Sequence, residues 1–217
     1  MGIIVVNTKA YEEGIGVKAL EIAKIMEKIG KEYGVEMAIA VQPTDISLIK
    51  SNTSIKVLSQ HIDAIESGAY TGFISPLAVR RAGADGTLLN HSEHRMKIEE
   101  IADCIEIGKK IGLISIVCAG NLNVAKSIVC LEPDYVAVEP PELIGGEISV
   151  SEAKPDVIKK AVEVVKPCKI LCGAGIKKAS DVEKAIGLGV DGILVASGVV
   201  KAKDREKILA EFARAMI

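Results

Sequence analysis

Short, unbroken apolar runs recur along the chain, and each gives way to polar residues and then to a stretch of helical periodicity. The runs are Ile3–Val6, Met37–Val41, Ile55–Leu58, Thr87–Leu89, Leu113–Cys118, Tyr135–Val138, Lys169–Leu171 and Gly192–Val195. Continuity, rather than alternation, marks strands buried on both faces, as in a parallel sheet covered by helices. After the first run, Val17, Leu20, Ala23, Met26 and Ile29 fall on one helical face, with Lys and Glu on the other and Gly34 as the stop. The same spacing predicts helices over Met96–Ile111, Leu122–Val129, from Pro155 through Val165, Lys178–Gly187 and Arg205–Met216. Pro43-Thr44-Asp45 opens a short helix through about Lys50, and the glycine-rich segment Ser67–Gly83 reads as a protruding loop followed by a brief helix starting near Pro76.

Eight strands, each followed by at least one helical turn, with no composition break or long linker, predict one domain over residues 1–217. Eight units point to a closed α/β barrel, (β/α)₈, in which the helices after strands two, three and five are abbreviated, since the chain is short for the fold. A doubly wound open sheet is the other reading; it lacks a G-x-G-x-x-G after its first strand.

Composition fits such a sheet. The hydrophobic fraction is 49%, aromatics are 3% and Trp is absent, so the core is built from Val, Ile, Leu and Ala. A net charge of -2 gives no cationic footprint for nucleic acid. No run of 18 apolar residues is present for a membrane span, and the N-terminus reads as a first strand rather than a leader. Five scattered cysteines (104, 118, 130, 168, 172) read as reduced thiols, mostly in the core, and imply a cytoplasmic setting.

In a barrel of this kind, chemistry sits where the strands end. The residues there are Asn7, Lys9, Gln60, His91, Glu93, Glu139, Gly173, Gly175 and Ser197. Glu139 follows a buried strand and is followed at once by Pro140-Pro141, which cannot continue a central strand; the loop then closes on Gly145-Gly146. A stiff start and a permissive end suggest a hinged lid beside an acid or base, the alternative being a solvated loop carboxylate. His91, His94 and His61 leave a metal site geometrically open, although such a site wants two or three clustered ligands. Gly173-Ala174-Gly175 after strand seven and Ser197-Gly198 after strand eight are placed to offer backbone N–H groups to a phosphate, or are plain tight turns. Together these residues suit proton abstraction next to a carbonyl in a small phosphorylated substrate, with stabilisation of the negative enediolate.

The ordered set Asn7-Thr8-Lys9, Gly68-Ala69-Tyr70-Thr71-Gly72, His91-Ser92-Glu93, Glu139-Pro140, Gly173-Ala174-Gly175 and Ala196-Ser197 resembles the triosephosphate isomerase family, from the first strand to the last. The lid stem, Glu139-Pro140-Pro141-Glu142-Leu143 ending Ile144-Gly145-Gly146, lacks the Trp and the Gly-Thr-Gly ending of better-known members. With the short helices, it resembles the compact archaeal branch. The resemblance implies a TIM barrel and interconversion of dihydroxyacetone phosphate and D-glyceraldehyde 3-phosphate, with no cofactor and no metal. A glutamate base, a neutral histidine and a closing loop are the established division of labour in that family. It falls here to Glu139, His91 and the lid residues Pro140, Pro141, Glu142, Leu143 and Ile144. Lys9 would offset substrate charge with Asn7 in support, and Glu93 would position Lys9. Gly145, Gly173, Gly175, Ala196 and Ser197 would supply phosphate-binding amides. The resemblance also implies self-association as a homodimer or homotetramer, with the loop Gly68 to Gly72 at an interface. A metal-dependent pentose-phosphate epimerase would need more His and Asp ligands at strand ends. A barrel kept only for binding would lack the base or the lysine, and both are present.

Overall fold

Strand β1 (Ile3–Asn7) is buried at every position, as its unbroken apolar run requires. It is one of eight strands that pair in parallel, in sequence order, and close with β8 against β1. The others are β2 (Glu36–Val41), β3 (Lys56–Ser59), β4 (Gly86–Leu89), β5 (Ile114–Ala119), β6 (Tyr135–Val138), β7 (Lys169–Cys172) and β8 (Gly192–Val195). The computed structural model describes residues 2–140 and 155–217. The closed (β/α)₈ TIM barrel replaces the open-sheet alternative.

Helices surround the barrel: α1 (Val17–Tyr33), α2 (Ile46–Lys50), α3 (Pro76–Arg81), α4 (Ile98–Ile111), α5 (Leu122–Val129), α6 (Pro155–Val165), α7 (Ala179–Gly187), α8 (Ser197–Val200) and α9 (Arg205–Ala215). The short ones follow strands two, three and five, as the chain length demanded, and α8 adds a four-residue turn after β8. Neither α8 nor the 3₁₀ turn Glu12–Gly14 is long enough to display a period in the sequence. Helix α4 begins at Ile98 rather than Met96, because Met96 is tied back to the end of β4. Its N–H donates to Asn90 Oδ1 at 3.1 Å, and its Sδ accepts the Asn90 N–H at 3.3 Å.

Strand alternation sorts the core into two shells. Val5, Ala38, Ala40, Leu58, Leu88, Ile116, Cys118, Ala137, Leu171 and Leu194 fill the barrel. Val6, Ile39, Val41, Val57, Leu89, Val117, Val136 and Val138 face the helices with Ile22, Met26, Ile105, Ile158 and Phe212. Cys104, Cys118 and Cys172 lie in this core, Cys168 is half-buried and Cys130 is exposed; none of the five forms a disulfide.

The N-terminal end of the barrel is stitched by aspartates that precede even-numbered strands. Asp85 accepts the Val57 N–H at 2.8 Å, Asp134 that of Ser115 at 2.8 Å, and Asp191 that of Ile170 at 2.8 Å. Each satisfies an amide at or near the start of the preceding strand, where the ladder has no carbonyl to offer. The residue after Asp191 is Gly192, whose hypothetical Cβ would lie 2.2 Å from the Ile3 carbonyl oxygen. The close approach of β8 to β1 therefore admits only glycine at that position.

Candidate active site

Alternation along β6 decides the direction of Glu139. Ala137 points into the barrel and Val138 outward, so the next residue points inward again at the C-terminal rim. Its carboxylate is buried, 3% of the residue being exposed. Removal from water raises its pKa to about 7, against the opposing pull of the Cys118 thiol hydrogen bond and the nearby charges of Lys9 and Arg95. Oε2 has no hydrogen-bond partner among the described residues. Gly173 on the neighbouring strand leaves room for the side chain, since a Cβ there would come within 2.5 Å of Glu139 Cγ.

His91 faces this carboxylate, with Nε2 3.7 Å from Glu139 Oε2. Burial first, then the positive charge of Lys9, lowers the imidazole pKa to about 4, so the ring is neutral at physiological pH. Its Nδ1 accepts the Glu93 N–H at 3.2 Å. The single ring proton therefore belongs on Nε2, the nitrogen that faces Glu139.

Lys9 is held in a left-handed backbone conformation, φ 51°. Such a conformation disfavours a side chain and persists only where the surroundings impose it. Here Asn7 Oδ1 accepts the Lys9 N–H at 3.0 Å, while Gln60 and Gln42 donate to the Lys9 carbonyl at 2.9 and 3.3 Å. The ammonium is paired with Glu93 Oε1 at 2.6 Å. Its side chain is 11% exposed and that of Glu93 is 58% exposed, so Lys9 lies inside the cleft and Glu93 at its edge.

Asn7, Lys9, His91, Glu139, Gly173, Gly175, Ala196 and Ser197 line one cleft, joined by Tyr11 and Lys177. Gly175 has φ 72°, the conformation for which glycine is suited. Gln60 stands in the layer behind, supporting Lys9 rather than lining the cleft. Pro140, next to Glu139, is buried. Pro141, Glu142, Leu143, Ile144 and Gly145 lie outside the described residues.

Sequence reasoning does not single out Gln42, Asn90, Arg95 or Cys118. Gln42 and Asn90 directly follow strands, which is a readable signal; a buried cysteine carries none. The histidines do not converge on an ion. His61 and His94 stack with centroids 4.2 Å apart, and among the described residues no three His, Cys, Asp or Glu side chains are grouped to hold a metal. The stretch Gly68–Gly72 is surface loop; its Tyr70, 46% exposed, packs edge-to-face at 5.8 Å on Phe73, the next residue after it, which is 54% exposed.

Fold and cleft define an enzyme of the (β/α)₈ class, with its polar side chains gathered at the C-terminal ends of the strands. The family model for triosephosphate isomerase matches residues 2–213. The chain is 48% identical over 213 residues to the triosephosphate isomerase of Methanocaldococcus jannaschii, covering 96% of this chain and 97% of that one. It is 46% identical to that of Methanothermus fervidus, covering 96% of each chain. The same identity relates it to the Sulfolobus acidocaldarius enzyme, over 98% of this chain and 94% of that one. The chain belongs to the triosephosphate isomerase family, and its near relatives are archaeal.

Proposed function

We propose that the cleft interconverts dihydroxyacetone phosphate and D-glyceraldehyde 3-phosphate through an enediolate, serving glycolysis and gluconeogenesis, with Glu139 as the base. The observation that carries this reading is the buried Oε2 of Glu139, unpartnered among the described residues, set against a neutral imidazole whose Nε2 carries the proton. Glu139 Oε2 removes a proton from the substrate carbon beside the carbonyl, and the C–H electron pair becomes the enediolate double bond. His91 Nε2–H donates to the carbonyl oxygen as negative charge develops there, then moves protons between the two oxygens. Glu139 returns its proton to the neighbouring carbon, completing the isomerisation with no net change in charge. Lys9 offsets the charge of phosphate and enediolate, with Asn7 fixing its backbone and Glu93 its ammonium.

Gly173, Gly175, Ala196 and Ser197 supply amides to the phosphate, with Gly145 from the lid; Pro140 to Ile144 close over it and exclude water. The chain works as one domain without cofactor or metal, in the cytoplasm. It self-associates as a homodimer or homotetramer through the loop Gly68–Gly72; the exposed Tyr70 within it and Phe73 just after it support that role. Among the described residues no helix is long and apolar enough to cross a membrane.

The test is to run the isomerisation in D₂O, with chelator present, and locate deuterium in the product by NMR. Deuterium on the carbon that gains the hydrogen is expected, because a carboxyl proton exchanges with solvent. Complete retention of protium would mean hydride transfer, and activity only with an added divalent ion would mean a metal-dependent reaction; either overturns the proposal.

A further inference from the structure

On β4, Leu88 belongs to the barrel interior and Leu89 to the outer shell. Continued alternation would turn Asn90 inward and His91 out toward the helices. Instead His91 reaches the cleft, and the departure falls on Asn90, whose φ is 56°. A left-handed residue at a strand end breaks the pleat and re-aims the next side chain.

Every polar group of this asparagine is engaged. Its Nδ2 donates to the Cys118 carbonyl at 2.9 Å and its Oδ1 accepts the Met96 N–H at 3.1 Å. Its N–H meets Met96 Sδ at 3.3 Å and its carbonyl accepts Arg95 Nη1 at 2.8 Å. The residue is 6% exposed, so these bonds are sheltered from competing water. The bond to Cys118 matters most for geometry, because it crosses from the end of β4 to β5. Cys118 also points into the barrel beside Glu139, and its thiol pulls the Glu139 pKa down. One side chain thus fastens the backbone that carries His91 to the backbone beneath the base.

We infer that Asn90 is a positioning residue for the isomerisation, setting the His91 imidazole against Glu139 by holding the left-handed turn and bridging β4 to Cys118. This inference rests on the function proposed above. Asn90 does not line the cleft, so its loss should misplace His91 while leaving ground-state binding alone. Misplacement of a catalytic group by about 1 Å lowers rate on the order of 10²-fold.

The experiment compares the wild type with Asn90→Gly, which keeps the backbone freedom and deletes both side-chain bonds, and Asn90→Asp, which keeps the acceptor for Met96 and deletes the donor to Cys118. Both should lose about 10- to 100-fold in kcat with KM within about twofold, while still melting cooperatively. The ¹⁵N signals of His91 should shift in both. Wild-type kcat in a folded Asn90→Gly protein would overturn the inference, as would a rise in KM with kcat per folded molecule unchanged. If Asn90→Gly does not fold, Asn90→Asp is judged by the same two constants. An inactive wild type would count against the proposed function itself. An active wild type with an equally active variant counts against Asn90 alone.

Discussion

Nε2 of His91 and Oε2 of Glu139 stand 3.7 Å apart, and both side chains are buried. Burial acts on the two in opposite senses, pushing the carboxyl up to about 7 and the imidazole down to about 4. Around pH 5 to 6 both groups are therefore uncharged in the free enzyme, and only above that range is the base ready. The substrate has to meet an ionised Glu139 and a neutral His91.

These two ionisations set the pH dependence of kcat/KM. It should fall about tenfold per unit below pH 7, as Glu139 takes up its proton, with no second loss from His91 until about pH 4. Initial rates across pH 5 to 9 measure it.

Stability should carry the same signature. The folded Glu139 pKa lies above its ordinary 4.5, so the native state binds more protons between 4.5 and 7, and stability falls as pH rises through that window. Glu139→Gln removes the effect. The variant should be more stable than wild type at pH 8, by up to about 3 kcal/mol, and the gap should close toward pH 4.5. Comparing variant with wild type cancels the opposite contribution of His91, which is fully present above its unfolded pKa and is lost as pH falls toward 4. Denaturant melts at several pH values check it.

Glu93 is bonded to Lys9 at 2.6 Å, and in the proposed reaction it acts through that lysine. Glu93→Gln should lower kcat/KM by about tenfold, and Lys9→Met by on the order of 10³-fold. In the Lys9→Met background the Glu93 change should add almost nothing, which a double-mutant cycle reads directly. Equal losses in both backgrounds would mean that Glu93 acts independently.

At the opposite end of the barrel, Asp134 accepts from both the N–H and the Oγ of Ser115, at 2.8 and 3.0 Å. Asp134→Ala should destabilise the protein by about 1–3 kcal/mol with kcat and KM unchanged. Thermal melts and initial rates test the separation of stability from chemistry along the barrel axis.

The strands and long helices can be read from the chain because their periods reflect burial directly. Glu139, His91 and Lys9 are legible because charged or imidazole side chains at the ends of buried strands have few structural reasons to be there. Asn90 and Gln42 also stand at strand ends, yet their roles depend on bonds to Cys118, Met96 and Lys9, which are distant in sequence or reached through a left-handed turn. Cys118 looks like any small core residue until β6 places Glu139 above it. Helix α4 starts two residues later than its apolar period suggests, because Met96 fits the period but is bonded to Asn90.

Steady-state kinetics of Glu139→Asp give the decisive test of the proposed role of Glu139 as the base. The substitution keeps the carboxylate and withdraws it by one methylene from the reacting carbon. A loss of about 100-fold or more in kcat is expected, with KM changed by only a few-fold, because the missing contact belongs to the transition state. A folded Glu139→Asp enzyme with the kcat of the wild type would contradict it.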